Sequence, residues 1–413
     1  MRRAWKILLG ALLALGIALA LAAWGAWSLL RAAPGEWSHP LQWGPWRMEA
    51  SVPTLLRMAT HPALLRRLEG RTLHTRFGPV QWRAGTQPHR WQAVCAPCRI
   101  KLAELGHDEI VLARVEIEAQ RPSPQEWRGE FALGEAPQVV RGRWKGGFDA
   151  HGALITLELP DTPLADAYRL FAGQIPELGR ARIDGQLRLR AELRLPRGEL
   201  SVQPHIDGFR VAGLGTEALL NAVPACTPVP PRGFGTWLPR AVIAAEDQRF
   251  YEHTGYDLRE IAAAWSLNQR QREAARGGST LSQQVAKLLY AGDGRNHVRK
   301  LRELLYAVEL DRTLGKARVL KLYLAMAPWG EGRCGAAAAA RHYLRKRVDR
   351  LTPTEAAWLA SLLHGPDREW ARYRRSGEVN VDRVGWVIAN LRPLPSDKRQ
   401  ALVEALPQWI PRR

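Results

Sequence analysis

Midway along this 413-residue chain the hydrophobic period changes at a cluster of prolines. From about residue 72 to 211 apolar residues recur at every second position. Leu187, Leu189, Ala191, Leu193 and Leu195 alternate with Arg188, Arg190, Glu192 and Arg194, and Ile155, Leu157 and Leu159, like Val115 and Ile117, follow the same rule. That period belongs to strands with one buried face. Pro224 to Pro231 then holds four prolines in eight residues, a linker signal. Beyond it, to about His364, the spacing is helical. The chain is therefore expected to be multidomain α+β: a β-rich domain over 34–222, an all-α domain over 223–370 and a helical tail over 371–413. The length suits two or three domains. Smaller departures are expected too. Arg31 to about Pro45 reads as a linker, Met48–Leu68 as helix interrupted at Pro53 and Pro62, and Asp161–Leu178 as a helical interruption of the strands.

Ile7 to Leu30 is a run of 24 residues without a charge. As a helix it would span about 36 Å, enough to cross a ~30 Å hydrocarbon core with some tilt. Arg2, Arg3 and Lys6 precede it, which places the N-terminus in the cytoplasm, with Trp24 and Trp27 at the far interface. The apolar region of a cleaved signal peptide is only about 7–15 residues. Residues 1–33 are thus expected to be a cytoplasmic stub and an uncleaved single-pass anchor in the cytoplasmic membrane, leaving the bulk of the chain periplasmic. The 60 Lys and Arg against 40 Asp and Glu give a formal charge of +20, which calls for an anionic partner. Export excludes nucleic acid and leaves anionic lipid or a phosphate-bearing substrate.

Three stretches of the helical region carry chemistry. In Glu246-Asp247-Gln248-Arg249-Phe250-Tyr251-Glu252-His253-Thr254-Gly255 the spacing sets Glu246, Phe250 and His253 on one helix face. A carboxylate on such an apolar, aromatic face has a raised pKa suited to a general acid or base. A solvated Glu-Asp pair beside a core helix is the alternative. Arg276-Gly277-Gly278-Ser279-Thr280-Leu281-Ser282-Gln283-Gln284-Val285-Ala286-Lys287 reads as a glycine-rich loop entering a helix that Ser279 or Thr280 caps. Gly278 lets backbone N–H groups approach an anion, and Gln283 and Lys287, four apart, share a face. Finally, Arg299-Lys300-Leu301-Arg302-Glu303 gathers two cations and a second carboxylate on one turn, which taken alone reads better as a surface salt-bridge helix.

In this order and spacing the three stretches resemble the signatures of glycosyltransferase family 51, the peptidoglycan glycosyltransferases: E-D-x-x-F-x-x-H-x-G, G-x-S-T-x-x-Q-Q and R-K-x-x-E, all intact here. The family's fourth signature reads here as Lys316 to Ala325. Its fifth, a glycine-alanine run, reads as Gly332-Arg333-Cys334-Gly335 followed by Ala336 to Ala340. The resemblance covers about residues 225–370 and is greatest to the monofunctional biosynthetic transglycosylases. Three positions depart from the pattern: Ala325 and Leu288 stand where Asn is usual, and Ala337 where Glu is usual. The middle region resembles, on pattern alone, the long-stranded periplasmic domains of AsmA-like proteins. No S-x-x-K, S-x-N and K-T-G set follows the helical region, so no transpeptidase module is expected.

The resemblance implies an all-α, lysozyme-like glycosyltransferase domain. It would join lipid-linked glycan to lipid II with inversion and release polyprenyl diphosphate. It implies Glu246 and Glu303 as catalytic carboxylates. Asp247, Phe250, His253, Gly278, Ser279, Thr280, Gln283, Gln284, Lys287, Arg299 and Lys300 would line the substrate site. A diphosphate leaving group needs preorganised cations, which Arg299, Lys300 and Lys287 supply. No cofactor is required. A divalent Mg or Mn ion would help neutralise the diphosphate, but no ligand spacing demands one. The β-rich domain is expected to serve as a spacer or to bind other cell-wall synthesis proteins. Two other classes stay open: a catalytically weakened scaffold or lipid-diphosphate binder, motivated by Ala325 and Ala337, and a lysozyme-like glycoside hydrolase.

Four cysteines in an exported chain suggest two disulfides. Cys95 and Cys98 are close enough for a local bridge, and their setting between strands argues against a thioredoxin-like redox pair. That leaves Cys226 and Cys334, which the family's fold places in one helical domain. Two buried thiols are the alternative.

Overall fold

The computed structural model describes residues 17, 21, 24–25, 27–43, 46–84, 90–101, 109–123, 125–222, 226, 232–271, 277–292 and 296–411. The expected anchor Ile7–Leu30 lies largely outside the described residues, as do Arg2, Arg3, Lys6 and most of Pro224–Pro231. Among the described residues no helix is long and apolar enough to cross a membrane. The chain is mixed α+β and divides into two compact units that do not follow its linear order. One comprises Met1–Ile100, Ile110–Thr162 and Leu187–His205; the other comprises Lys101–Glu109, Pro163–Gln186 and Ile206–Arg413.

The first unit opens with the antiparallel pair β1 (Ser38–Trp43) and β2 (Trp46–Ser51). Met48 is thus in a strand, where a helix was expected. Helix begins only where proline can occupy a first turn, whose N–H groups need no intrahelical partner. α1 (Val52–Ala59) is capped by Ser51, whose Oγ accepts from Thr54 N at 3.1 Å, and α2 (Pro62–Leu68) starts at its own proline. The large sheet then builds from β3 (Thr72–Thr75), β4 (Gly78–Ala84) and β5 (Arg90–Cys95). β6 (Cys98–Lys101) and β7 (Glu109–Leu112) make a separate two-stranded sheet, with Cys95 bonded to Cys98 at its entrance. The large sheet resumes with β8 (Val115–Gln120), β9 (Glu126–Leu133), β10 (Val140–Phe148), β11 (Ala153–Pro163), β12 (Arg182–Leu195) and β13 (Glu199–Ala212). Its order, β13-β12-β11-β10-β9-β8-β5-β4-β3, is a meander with one hop from β5 to β8.

Leu65 of α2, Trp91, Ala119 and Trp127 form a buried cluster, with Trp82, Trp144 and Phe148 packed against it. Gly129 lets this cluster close. A Cβ there would collide with Glu118 O, the atom to which Trp144 Nε1 donates at 2.9 Å. The alternating pattern is buried only where another layer covers it. Val115 and Leu159 are buried, whereas Ile117 and Leu157, expected on the same face, are exposed. A sheet face sheds water only against a second layer.

The second unit is helical. Residues 163–186 contribute α3 (Leu164–Arg169) and a 3-10 turn, Pro176–Gly179. After β13 come α4 (Trp237–Glu246), α5 (Leu258–Gln271) and α6 (Leu281–Ala286), which runs into a π-helical turn, Lys287–Ala291. α7 (His297–Met326) is kinked at Gly315, whose φ of 72° breaks the helical run. α8 (Ala336–Leu344), α9 (Pro353–Ser361), α10 (Pro366–Ser376), α11 (Val381–Ala389) and α12 (Ser396–Glu404) complete the unit. α9 is buried on all sides, the mark of a central helix. It packs against α4 and α11. The expected start of α9 is present as a capping box: Glu355 N donates to Thr352 Oγ1 and Thr352 N donates to Glu355 Oε2, with Pro353 at the first position.

Cys226 is bonded to Cys334 across a sequence separation of 108 residues, tying the segment ahead of α4 to the loop before α8. A loop of that size is worth at most about 4.7 kcal/mol on the chain-entropy model, and native bridges typically deliver about 2–4 kcal/mol. Cys334→Ser is expected to destabilise the helical unit by that smaller amount, read as a lowered urea midpoint in its fluorescence transition. The wild-type protein should show the same shift under reducing conditions.

Candidate active site

α4 delivers Glu246 as its last residue, and the chain leaves the helix at Asp247 (φ −160°, ψ 74°). The sequence expectation of one helix face shared by Glu246, Phe250 and His253 is therefore corrected. Phe250 and His253 lie in the turns beyond the helix. The reason is Asp247. Its buried carboxylate accepts from Leu281 N at 2.9 Å and from His253 Nε2 at 3.0 Å, so the chain folds back around it. Lys316, which has only hydrogens to offer, lies 3.3 Å from His253 Nδ1. These partners assign Nδ1 as acceptor and Nε2 as the protonated nitrogen. Lys316 also pairs with Asp311, which accepts from Ser282 Oγ at 2.6 Å, and its ammonium sits 4.6 Å from the Phe250 ring centroid. Gly255, with φ of 91°, closes the loop where a Cβ would strike the α7 backbone at Ala307 and Val308.

Glu246 itself faces a different set of groups. Gln284 Nε2 donates to its Oε2 at 3.0 Å, and Tyr323 OH donates to Gln284 Oε1 at 3.1 Å. Arg383 Nη2 lies 3.9 Å from Glu246 Oε1 and donates to Ala245 O at 3.2 Å. Burial raises the Glu246 pKa above the usual carboxylate value. The Gln284 hydrogen bond and the Arg383 charge offset only part of this, and Asp247 adds a further upward push. Burial, then the Glu246 charge, holds the Tyr323 hydroxyl well above its ordinary value, which keeps that donor protonated.

The third cluster sits on the first turns of α7. Asn296 caps the helix, accepting from Arg299 N at 2.7 Å. Glu303, only 2 % exposed, pairs with Arg299 through one oxygen and accepts from Lys300 Nζ at 2.9 Å through the other. Lys300 Nζ also donates to Ser279 Oγ at 2.7 Å. Partial burial, then the charges of Arg299 and Lys287, lowers the Lys300 pKa to about 8. α6 joins this cluster to Glu246, because Ser279 lies just before it and Gln284 lies within it.

The predicted site residues thus divide by exposure. Glu246, Ser279, Gln284, Lys287, Arg299 and Lys300 keep accessible surface. Asp247, Phe250, Thr280, Gln283 and Glu303 are buried, and only 5 % of the His253 side chain is exposed. Thr280 and Gln283 form the α6 capping box, with Thr280 Oγ1 donating to Gly255 O at 2.7 Å. Gln284, and not Gln283, turns its amide to the carboxylate. Gly278 packs on α5, where a Cβ would stand 3.0 Å from Glu260 O. Sequence reasoning missed Arg383. It lies in the stretch read as a tail, and no local pattern announces a partner 137 residues upstream. Among the described residues no group of three or more His, Cys, Asp or Glu is arranged to hold a metal ion.

A family model described as Transglycosylase matches residues 221–392, a span that includes Glu246, the cation cluster and Arg383. A biosynthetic peptidoglycan transglycosylase of Nitrosomonas eutropha is 46% identical over 139 residues, which is 34% of this chain and 57% of that protein. The protein of the same name from Bordetella pertussis is 44% identical over 147 residues, 35% of this chain and 60% of its own. One from Pseudomonas syringae pv. tomato is 39% identical over 169 residues, 41% of this chain and 70% of its own. The chain belongs to the transglycosylase family of these proteins, and it spans somewhat under two thirds of the length of the first two relatives.

Arg383 is a cation that favours the ionised form of Glu246. Arg383→Ala is therefore expected to raise the Glu246 pKa further. Carboxyl-carbon NMR titration of the protein labelled at glutamate checks this, and an unchanged or lower value would show that Arg383 does not bear on that carboxylate.

Proposed function

We propose that this protein polymerises lipid II into glycan strands. The observation that carries the proposal is the pairing of a partly accessible, proton-attracting carboxylate, Glu246, with the Lys287, Arg299 and Lys300 cluster through the single short helix α6. In this reading the ionised Glu246 takes the proton from the acceptor 4-hydroxyl as that oxygen attacks the anomeric carbon of the growing chain. Inversion follows, and the C–O bond to the diphosphate breaks. Gln284, held by Tyr323, orients the Glu246 carboxylate. Arg299, Lys300 and Lys287 meet the negative charge that develops on the departing diphosphate, the moment at which preorganised cations contribute most. Glu303, fully engaged by two cations, sets their positions and does not itself meet the substrate.

A bare-glycan hydrolase has no use for three clustered cations, which is why the diphosphate reading stands above the hydrolase one. The uncharged run Ile7–Leu30 would hold the site at the periplasmic face of the cytoplasmic membrane, where a lipid substrate is confined, and the β-rich domain would meet other cell-wall synthesis proteins. A weakened member of the family is the second reading. Ala325 is buried and offers no side-chain donor, and Ala337 sits in the first turn of α8, where an acidic residue would be favoured by the helix dipole.

Glu246→Gln, nearly isosteric but unable to accept the proton, is expected to lower polymerisation of lipid II by about 10²–10⁴-fold with the fold unchanged. Product length on a gel reads it, and activity within about tenfold of wild type would remove Glu246 from the role of base. Restoring Asn at 325 and Glu at 337 is expected to raise turnover. Turnover only in the restored protein would favour the scaffold reading.

The pH profile has two limbs. Glu246 must be ionised, so kcat/KM rises with pH through its raised pKa. Lys300 must be charged, so kcat/KM falls again near pH 8, the free-enzyme value. The bound diphosphate favours the ammonium, so the alkaline limb of kcat should lie higher than that of kcat/KM. Lys300→Arg should remove the limb near pH 8 altogether.

A further inference from the structure

From the end of β11 into the start of β12, residues 163–186 make an excursion that groups with the helical unit and lies outside the span matched to the transglycosylase family. Its 3-10 turn, Pro176–Gly179, presents a buried carboxylate, Glu177. Arg302 Nε donates to Glu177 Oε1 at 2.9 Å, Arg302 Nη2 contacts the same oxygen, and Nη2 also donates to Tyr290 O at 3.3 Å. Burial pushes the Glu177 pKa up, but the hydrogen bond and charge of Arg302 outweigh it and hold the group ionised.

The position of Arg302 gives this pair its meaning. It precedes Glu303 and follows Arg299 by one turn of α7. Tyr290 belongs to the π turn that begins at Lys287. One guanidinium therefore joins the turn that carries Arg299 and Lys300 to the turn that carries Lys287. A second tie runs in parallel: Arg180, at the end of the same excursion, donates to Tyr306 OH at 3.4 Å, and the Tyr306 ring stacks on Tyr290 at 4.1 Å and 3°.

We propose that Glu177 is a positioning residue for the diphosphate site. By neutralising and orienting Arg302 it fixes the separation of Lys287 from Arg299 and Lys300, so a segment outside the matched family span sets the geometry of the cation cradle. The inference rests on reading those cations as the diphosphate site. Removing the buried carboxylate leaves the half-buried Arg302 guanidinium uncompensated, so Arg302 would abandon Tyr290 O for water. A small displacement passed to the cations is enough to cost rate.

The test uses the full-length protein with Glu177→Ala, Glu177→Gln, Arg302→Ala and the double variant Glu177→Ala/Arg302→Ala. kcat and KM for lipid II and the Kd for unreacting polyprenyl diphosphate are measured below every melting transition, and the melting temperature is recorded for each variant. Glu177→Ala is expected to raise that Kd and lower kcat, each by about tenfold. Glu177→Gln should fall between it and wild type, and the double variant should be no worse than Arg302→Ala. Lowered melting temperatures with Kd and kcat unchanged would mark the pair as a stability element and overturn the proposal. If wild type binds polyprenyl diphosphate yet makes no glycan, the functional reading fails while the Kd series still decides the role of Glu177. If wild type does not bind polyprenyl diphosphate, both readings fall.

Discussion

Asp247 holds the site together. Its carboxylate is buried, and it accepts one hydrogen bond from the backbone of Leu281 and another from the His253 ring. The first satisfies an N–H at the start of α6 that has no partner within its own helix. The second anchors the loop that returns from α4. Each partner would be left buried and unsatisfied without this carboxylate, at a cost of about 1–3 kcal/mol apiece. The same two contacts set Glu246 opposite Gln284, because Leu281 and Gln284 belong to one helix. Two adjacent carboxylates thereby acquire opposite characters. Asp247 is saturated with donors inside the fold. Glu246, half-buried, has a single amide donor and a cation at 3.9 Å, and its proton affinity rises.

The cation cluster obeys the complementary logic. Glu303 is a buried anion with two cations on it, and Lys287 adds a third positive charge close enough to lower the Lys300 pKa. A cluster with more positive than negative charge, partly withdrawn from water, is stabilised by an incoming anion. Withdrawal from water first, and the charges of Arg299 and Lys287 second, lower the Lys300 pKa.

The parts legible in the sequence were those encoded locally. The period-two stretch from Thr72 marks where the sheet begins, and β13 ends at Ala212, because alternation reports a pleated strand directly. The turn bearing Arg299, Lys300 and Glu303 could be placed from spacing alone, since i, i+3 and i, i+4 geometry is fixed by the helix. What failed depended on distant contacts. Glu246, Phe250 and His253 have helical spacing, yet the helix stops because Asp247 finds Leu281, 34 residues away. Gln283 and Gln284 look equivalent as a pair, and only the capping box, which takes the first, separates them. Arg383 and Glu177 are ordinary charged residues in sequence, and their partners Glu246 and Arg302 lie more than 100 residues away.

The departures from the family pattern can be weighed against this geometry. Ala325 is two residues beyond Tyr323 in α7, and side chains two apart on a helix point to nearly opposite sides. An Asn at 325 would therefore lie away from the Tyr323–Gln284–Glu246 relay, which is complete as it stands. Ala337 lies in the first turn of α8, beyond the positive-φ Gly335, and leaves the cluster on α7 untouched. Leu288 is exposed in the π turn next to Lys287, which keeps its own place beside Lys300. None of these positions supplies the proton acceptor Glu246 or a cation of the Lys287, Arg299 and Lys300 cluster. In the proposed reaction the expected consequence is weaker positioning of the reacting groups, felt as lower turnover, with the proton acceptor and the diphosphate cradle left in place.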